Sequence, residues 1–130
     1  MVNVSVDIAR DGSAPGKARR VVRRQAGALD AALVGDVTLL VSELVTNSVK
    51  YGADGTVRLR ILSRAPAQVR VEVSDDGHAF VPAGRDRPLS DAGGWGLHLV
   101  ERLADRWGVA TGTSRVWFEI DRRATGAAAA

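Results

Sequence analysis

The chain has 130 residues, no cysteine and only two histidines, and 18 basic against 15 acidic residues give it a net charge of +3. This length corresponds to one domain of the common size, roughly 100–150 residues. The lack of cysteine excludes disulfides, thiol catalysis and cysteine-ligated metal sites. No apolar run approaches the ~20 residues of a membrane span and no signal sequence begins the chain, so we expect a cytoplasmic protein without membrane contact. The small charge excess only weakly favours a nucleic-acid ligand.

The first half of the chain predicts one strand and two helices. Apolar and polar residues alternate over Val2–Ile8, as in a strand with one buried face. Pro15 suits the first turn of a helix, which Asp11-Gly12 precedes as a turn. A second helix is predicted from Asp36, as N-cap, to Gly52. The first helix has the apolar stripe Val22, Ala26, Leu29 and Leu33, and the second has Val37, Leu40, Val41, Leu44, Val45 and Val49.

The second half predicts two strands over residues 57–61 and 69–73, which are joined by a hairpin turn at 63–67. Residues 78–94 have no hydrophobic period and are rich in glycine, proline and charge, which indicates a long loop. A third helix is predicted from Leu97 to Trp107, and Gly108 ends it before a final strand over 116–120, with one more short strand between them. Residues 124–130 form a flexible tail.

This order of elements predicts a single α+β domain over residues 1–123. Strands joined by a hairpin, together with helices that each carry one apolar stripe, favour a two-layer sandwich. We therefore expect a mixed, mostly antiparallel sheet with the helices on one face.

One face of the second predicted helix is polar. Glu43, Asn47 and Lys50 are spaced i, i+4 and i+7, so they lie on the same side. The amide oxygen of Asn47 can ligate Mg²⁺, Lys50 can neutralise a phosphate oxygen, and Glu43 can accept a proton. An ordinary exposed helix face has the same spacing, so the pattern alone leaves both interpretations open.

Two further segments combine glycine with groups that bind ligands. Asp75 and Gly77 follow the third predicted strand, where a carboxylate can accept a hydrogen bond from an exocyclic amine such as that of adenine. Gly94, Trp95, Gly96 and Leu97 come directly before the third helix, whose N-terminus can bind phosphate. An ordinary Asp-Gly turn and a flexible loop before a helix are the alternatives.

The order of the three segments is more specific than any one of them. Glu43–Tyr51, Asp75–Gly77 and Gly94–Leu97 resemble the N box, the first glycine box and the second glycine box of the GHKL, or Bergerat-fold, ATP-binding superfamily. The small size and the run Glu-Leu-Val-Thr-Asn are similar to its anti-sigma-factor serine-protein kinase branch. The resemblance covers nearly the whole chain, roughly Val2 to Arg122.

The resemblance implies roles for particular residues. Glu43 matches the general base, Asn47 the Mg²⁺ ligand, and Lys50 the residue that reaches the phosphates. Tyr51 shares the phosphate role, although many close relatives have histidine there. The remaining matches are Asp75 and Gly77 for adenine, and Gly94, Trp95, Gly96 and Leu97 around the phosphates, with Trp95 covering the nucleotide or a partner surface.

The resemblance also implies that residues 78–94 form an ATP lid. In the lid, Arg85 and Arg87 either meet the γ-phosphate or remain in solvent. Ala79 stands where the first glycine box often has a second glycine, a departure that either tightens the adenine pocket or weakens nucleotide binding.

The function implied is that of an ATP- and Mg²⁺-dependent protein kinase. It would phosphorylate a serine or threonine of an anti-sigma-factor antagonist, sequester a sigma factor and form a homodimer. One alternative is a binding module that holds a sigma factor or regulator without phosphoryl transfer. The other is a nucleic-acid binder that uses the basic run at 19–24, which is otherwise a solvated helix face.

Overall fold

A computed structural model describes residues 1–51, 55–75, 95–110 and 115–122 of the chain. In chain order, the elements of these segments are β1 (Val2–Ala9), α1 (Ala14–Arg23), α2 (Ala31–Tyr51), β2 (Thr56–Ala65), β3 (Gln68–Asp75), α3 (Trp95–Leu103), β4 (Arg106–Val109) and β5 (Val116–Asp121). The predicted tail, 124–130, lies outside the described residues.

The strands form one sheet in the order β1-β2-β3-β5-β4, and every described strand pair is antiparallel. Alternate side chains point to opposite faces of the sheet. One face is apolar and buried, and its central strands contribute Val57, Leu59, Ile61, Val69, Val71, Val73, Val116, Phe118 and Ile120. The helices cover this face, and α2 packs against both α1 and α3. The predicted two-layer α+β sandwich is therefore confirmed.

The boundary between α1 and α2 differs from the prediction. Helix α1 ends at Arg23, and Gly27 adopts a φ of 98°, which L residues with a side chain rarely adopt. Ala26 and Leu29 therefore lie in a turn, where an isolated bridge joins them, although Leu29 is still buried in the core. The predicted single stripe from Val22 to Leu33 was wrong, because Leu33 belongs to α2.

Helix α2 begins at Ala31, five residues before the predicted N-cap. The amide of Val34 donates to the carbonyl of Asp30 at 2.9 Å, so the helical hydrogen bonds start there. The amide of Asp30 in turn donates to the carbonyl of Pro66 at 2.9 Å, which attaches this helix start to the turn between β2 and β3. Asp36 lies inside the helix and pairs with Arg122.

The end of the third helix was also predicted wrongly. Helix α3 ends at Leu103, and Trp107 and Gly108 are part of β4. In the register of β4 with β5, Trp107 lies opposite Phe118 and Gly108 lies opposite Trp117. A Cβ atom on Gly108 would come within 3.0 Å of the Trp117 ring, so this glycine gives room to a cross-strand neighbour rather than ending a helix.

The β2–β3 hairpin is tighter than predicted. Strand β2 continues to Ala65 and β3 starts at Gln68, so that only residues 66 and 67 form the loop. The pairing register shifts between Leu62 and Ala65, where Ser63 is buried and its hydroxyl donates to the carbonyl of Ala65 at 2.6 Å. A bulge of this kind lets the strand continue where strict alternation would end it.

Helix α2 corrects the expectation that no segment has the length and composition of a membrane span. Over Ala31–Lys50 it has 20 residues with a mean hydropathy of 1.3, and by these two criteria it is long and apolar enough to cross a membrane. A core helix meets the same criteria, so one such helix is a weak indication. Here the apolar stripe Leu33, Val37, Leu40, Val41, Leu44 and Val45 is buried in the core.

The face of the sheet opposite the helices carries alternating charges. Glu72 has a side chain only 9% exposed, and it accepts hydrogen bonds from Arg60 and Arg70 at 3.1 Å each. Arg70 also donates to Glu119 at 2.8 Å and lies 4.4 Å from the centre of the Trp117 ring. This network, which we call the charged face, connects β2, β3 and β5 across the sheet.

Candidate functional site

The polar face of α2 is placed as the helical spacing predicted. Glu43 and Asn47 are one turn apart and partly buried, and Lys50 is exposed in the last turn. The apolar stripe of α2 is in the core, so these side chains lie on the less buried side of the helix. Neither Glu43 nor Lys50 forms an ion pair with another residue of the described segments. An ion pair between Glu43 and Lys50 is therefore not formed.

Asp75 lies at the end of β3 and meets α2. Its Cα is paired with that of Val57 on β2, and its side chain is 14% exposed. The hydroxyl of Ser48 donates to Oδ2 of Asp75 at 3.3 Å. Ser48 directly follows Asn47 in α2, so this contact brings together two of the three motifs that are far apart in the chain.

Arg10 also lies near this site, and like Ser48 it was not singled out by the sequence. It follows β1, and its amide donates to the carbonyl of Gly55 at 2.9 Å. Its Nη2 lies 2.7 Å from Oδ2 of Asp75, and its side chain is 2% exposed. The signal in the sequence is a lone charge between an apolar strand and an Asp-Gly turn, which ordinarily indicates a solvated strand end.

The other predicted site residues are described only in part. Tyr51 is the last residue of α2, and Trp95, Gly96 and Leu97 form the first turn of α3. Helix α3 therefore begins at Trp95, two residues before the predicted start at Leu97 and inside the second glycine box. Gly77, Gly94 and the predicted lid, 78–94, with Arg85 and Arg87, lie outside the described residues.

The donor set on α2 fits a magnesium ion better than a transition metal. Asn47 offers an amide oxygen on this face, with the carboxylate of Glu43 one turn away as a base, and Mg²⁺ prefers oxygen donors. Within the described segments, no group of three or more His, Cys, Asp or Glu side chains could hold a metal. A metal on this face therefore depends on phosphate and water for most of its ligands, as Mg²⁺ commonly does.

The basic run of α1 is divided between packing and solvent. The guanidinium of Arg19 donates to the hydroxyl of Ser42 on α2 at 2.7 Å, while Arg20, Arg23 and Arg24 are exposed. The first contact helps to join two helices. The other three form the solvated face that the charge pattern predicted.

Comparisons with known proteins match most of the chain. The model of a protein family described as "Histidine kinase-like ATPase domain" matches residues 9–120. Among solved structures, the RsbU and RsbW domains of Rv1364c from Mycobacterium tuberculosis have a similar fold, with a TM-score of 0.65 and 19% identity over 92% of this chain. The chain spans about a third (32%) of that solved chain. A search of curated proteins found no match.

Proposed function

Because this chain belongs to the histidine kinase-like ATPase family, as its three motifs predicted, we propose that it is an anti-sigma factor with protein kinase activity. It binds ATP together with Mg²⁺ and phosphorylates a serine or threonine of an anti-sigma-factor antagonist. The structural likeness to a chain with an RsbW domain supports the fold of this proposal. Its chemistry is argued from the described residues.

The contact between Ser48 and Asp75 is the observation that carries the proposal. It brings the end of β3 to the residue that follows Asn47, at 3.3 Å between Oγ and Oδ2. A carboxylate that accepts from the amine of adenine and an amide oxygen that ligates a phosphate-bound metal must lie within one nucleotide's length of each other. The packing of α2 on β3 supports this arrangement.

The roles at the reacting end follow from the chemistry of each side chain. Glu43 takes the proton of the attacking hydroxyl, whose oxygen bonds to the γ-phosphorus while the bond from that phosphorus to the β-phosphate oxygen breaks and ADP leaves. Lys50 offsets negative charge on the phosphates. Bound Mg²⁺, with Asn47 as its protein ligand, supplies further charge neutralisation. Most of the rate gain in such transfers comes from positioning and charge.

The first turn of α3 supplies the remaining phosphate contacts. The backbone N–H groups at Trp95, Gly96 and Leu97 have no partner within the helix, and the helix N-terminus carries positive partial charge. The motif matches assign Gly77 to the base, and Gly94 and Tyr51 to the phosphates. They assign Trp95 to a contact with the nucleotide or with a partner surface.

The biological role requires other proteins. The chain sequesters a sigma factor when the antagonist is phosphorylated and releases it when the unphosphorylated antagonist competes. It acts in the cytoplasm as a homodimer and contacts neither nucleic acid nor membrane. These statements rest on the resemblance to the anti-sigma-factor kinase branch.

The test is transfer of labelled γ-phosphate from Mg-ATP to serine or threonine of purified antagonists from the same genome. Replacing Glu43 by Gln should lower the rate at least 10²-fold, because the general base is lost while the shape is kept. Glu101→Gln is the matched control, since Glu101 is an exposed glutamate on α3 and belongs to none of the three motifs. Absence of transfer by the wild type, or undiminished transfer by Glu43→Gln, contradicts the kinase proposal.

Calorimetry with ATP and Mg²⁺ separates the kinase from the binding-module alternative. Binding without transfer favours a module that holds a sigma factor or regulator through its surface. If no nucleotide binds, the assignments of Asn47, Lys50 and Asp75 are wrong.

A further inference from the structure

The guanidinium of Arg10 is buried to an unusual degree for a charged group. Its side chain is 2% exposed, and none of its three nitrogens makes a directed hydrogen bond to a described residue. Nη2 is nevertheless 2.7 Å from Oδ2 of Asp75. The two groups therefore attract each other as an ion pair, although no N–H bond of the guanidinium is aligned for a hydrogen bond with the carboxylate. Burial of such a cation is costly unless an opposite charge is close.

The two partners differ in their access to the site. Asp75 keeps 14% of its side chain exposed, whereas Arg10 keeps 2% and lies behind it. A ligand can therefore reach the carboxylate but not the guanidinium. Any effect of Arg10 on a ligand must pass through Asp75.

One oxygen of Asp75 is held from two sides. Oδ2 contacts Nη2 of Arg10, beyond the end of β1, and the hydroxyl of Ser48, on α2, at 3.3 Å. Two contacts on the same oxygen restrict rotation about the last bond of the aspartate side chain. The backbone of Arg10 is itself fixed by its hydrogen bond to Gly55 at 2.9 Å.

We propose that Arg10 is a positioning residue for base recognition, which orients the Asp75 carboxylate toward the amino group of a purine nucleotide. This inference rests on the proposed nucleotide-binding function and adds to it a residue outside the three motifs. A carboxylate held in one orientation discriminates between purines by their amino group, since a hydrogen bond to a charged acceptor depends on alignment. A freely rotating carboxylate loses part of that discrimination because ordering it costs entropy.

The experiment compares two nucleotides that differ only in this amino group. Binding of ATP and of purine riboside triphosphate, which lacks the 6-amino group, is measured by calorimetry on the full chain with Mg²⁺. The wild type should bind ATP roughly tenfold more tightly, as expected for one hydrogen bond to a charged group. In Arg10→Met this ratio should fall below about threefold through weaker ATP binding, while purine riboside triphosphate binds as before.

Two further variants define what the change means. Arg10→Lys keeps the charge and most of the buried chain, so it should retain an intermediate ratio, and it provides the test if Arg10→Met fails to fold. Arg58→Met is the matched control, because Arg58 forms an exposed ion pair with Asp7 on the same sheet and should leave the ratio unchanged. Circular dichroism and thermal unfolding report whether each variant is folded.

The outcomes distinguish this inference from the function on which it rests. If the wild type prefers ATP and the folded Arg10 variants keep the full ratio, Arg10 does not position Asp75 and only this inference is overturned. Equal weakening of both nucleotides overturns it too, because that pattern indicates a general structural role. If the wild type binds neither nucleotide, the proposed function fails as well.

Discussion

Glu72 is the centre of the charged face, and its removal should destabilise the fold measurably. Its carboxylate receives hydrogen bonds from Arg60 and Arg70 at 3.1 Å each, and Arg115 lies 4.0 Å away. Replacing Glu72 by Ala leaves three guanidinium groups around an empty acceptor position. The perturbation therefore removes two charge-assisted hydrogen bonds and leaves repulsion among the donors.

The loss of stability in Glu72→Ala depends on how much hydration the guanidinium groups regain. Glu72 is 9% exposed, but its partners are 34–49% exposed, so they regain part of their hydration when the carboxylate is lost. Removing one partner of a fully buried pair costs about 3–5 kcal/mol, and exposed pairs contribute about 1 kcal/mol or less. We expect an intermediate loss of about 1–3 kcal/mol in the free energy of unfolding.

Urea unfolding followed by circular dichroism measures this loss directly, and the m-value checks that the unfolding remains two-state. Asp7→Ala is the matched control, because Asp7 pairs with Arg58 on the same sheet face but both side chains are more than half exposed (53% and 58%). The control should change stability much less than Glu72→Ala. If the two variants lose equal stability, burial does not set the strength of these pairs and the reasoning is refuted.

Two other predictions concern stability. The pKa of Glu119 is lowered below its ordinary 4.5, chiefly by its hydrogen bond from Arg70, so the folded state binds fewer protons than the unfolded state. The contribution of Glu119 to the free energy of unfolding is complete above pH 4.5 and is lost as pH falls through the lowered pKa. The stability of Glu119→Gln should therefore depend less on pH than that of the wild type in acid-unfolding curves. An equal dependence on pH would contradict this. Gly35→Ala should raise stability by about 0.5–1 kcal/mol, because it lies inside α2 and a Cβ there meets nothing within 4 Å. Gly108→Ala should lower stability by about 1 kcal/mol or more, because its Cβ would lie 3.0 Å from the Trp117 ring. In thermal unfolding, the melting temperature should therefore rise for Gly35→Ala and fall for Gly108→Ala. Melting temperatures that shift in the same direction would contradict the packing argument.

Most of the fold could be predicted because the relevant signals are local. Alternation over Val57–Ile61 and Val69–Val73 depends only on the period of a strand, and both segments form strands with those residues buried. The family could be predicted for a related reason, because its three motifs are short runs, and a single sequence shows both the runs and their order. The positions of Gly77 and Gly94 remain predictions, because both lie outside the described residues.

The errors occurred where distant residues decide the local structure. Trp107 continues the helical spacing of Leu103, but pairing of β4 with β5 places it in a strand opposite Phe118. Leu29 continues the stripe of α1, yet the chain turns at Gly27 before reaching it. A hydrophobic period in the sequence does not show which distant strand or turn will include the same residues.

The sequence by itself determined the composition limits, the α+β class and the family of this chain. Its net charge of +3 weakly suggested nucleic acid, but several of its arginines take part in ion pairs on the charged face or, like Arg19, in a contact with Ser42. Only the tertiary structure decided that Arg10 lies buried against Asp75 at 2.7 Å. The pattern of a sequence indicates which side chains prefer water. A buried ion pair, however, forms between residues that are far apart in the chain. Its two partners are defined only when β1 and β3 become part of one sheet.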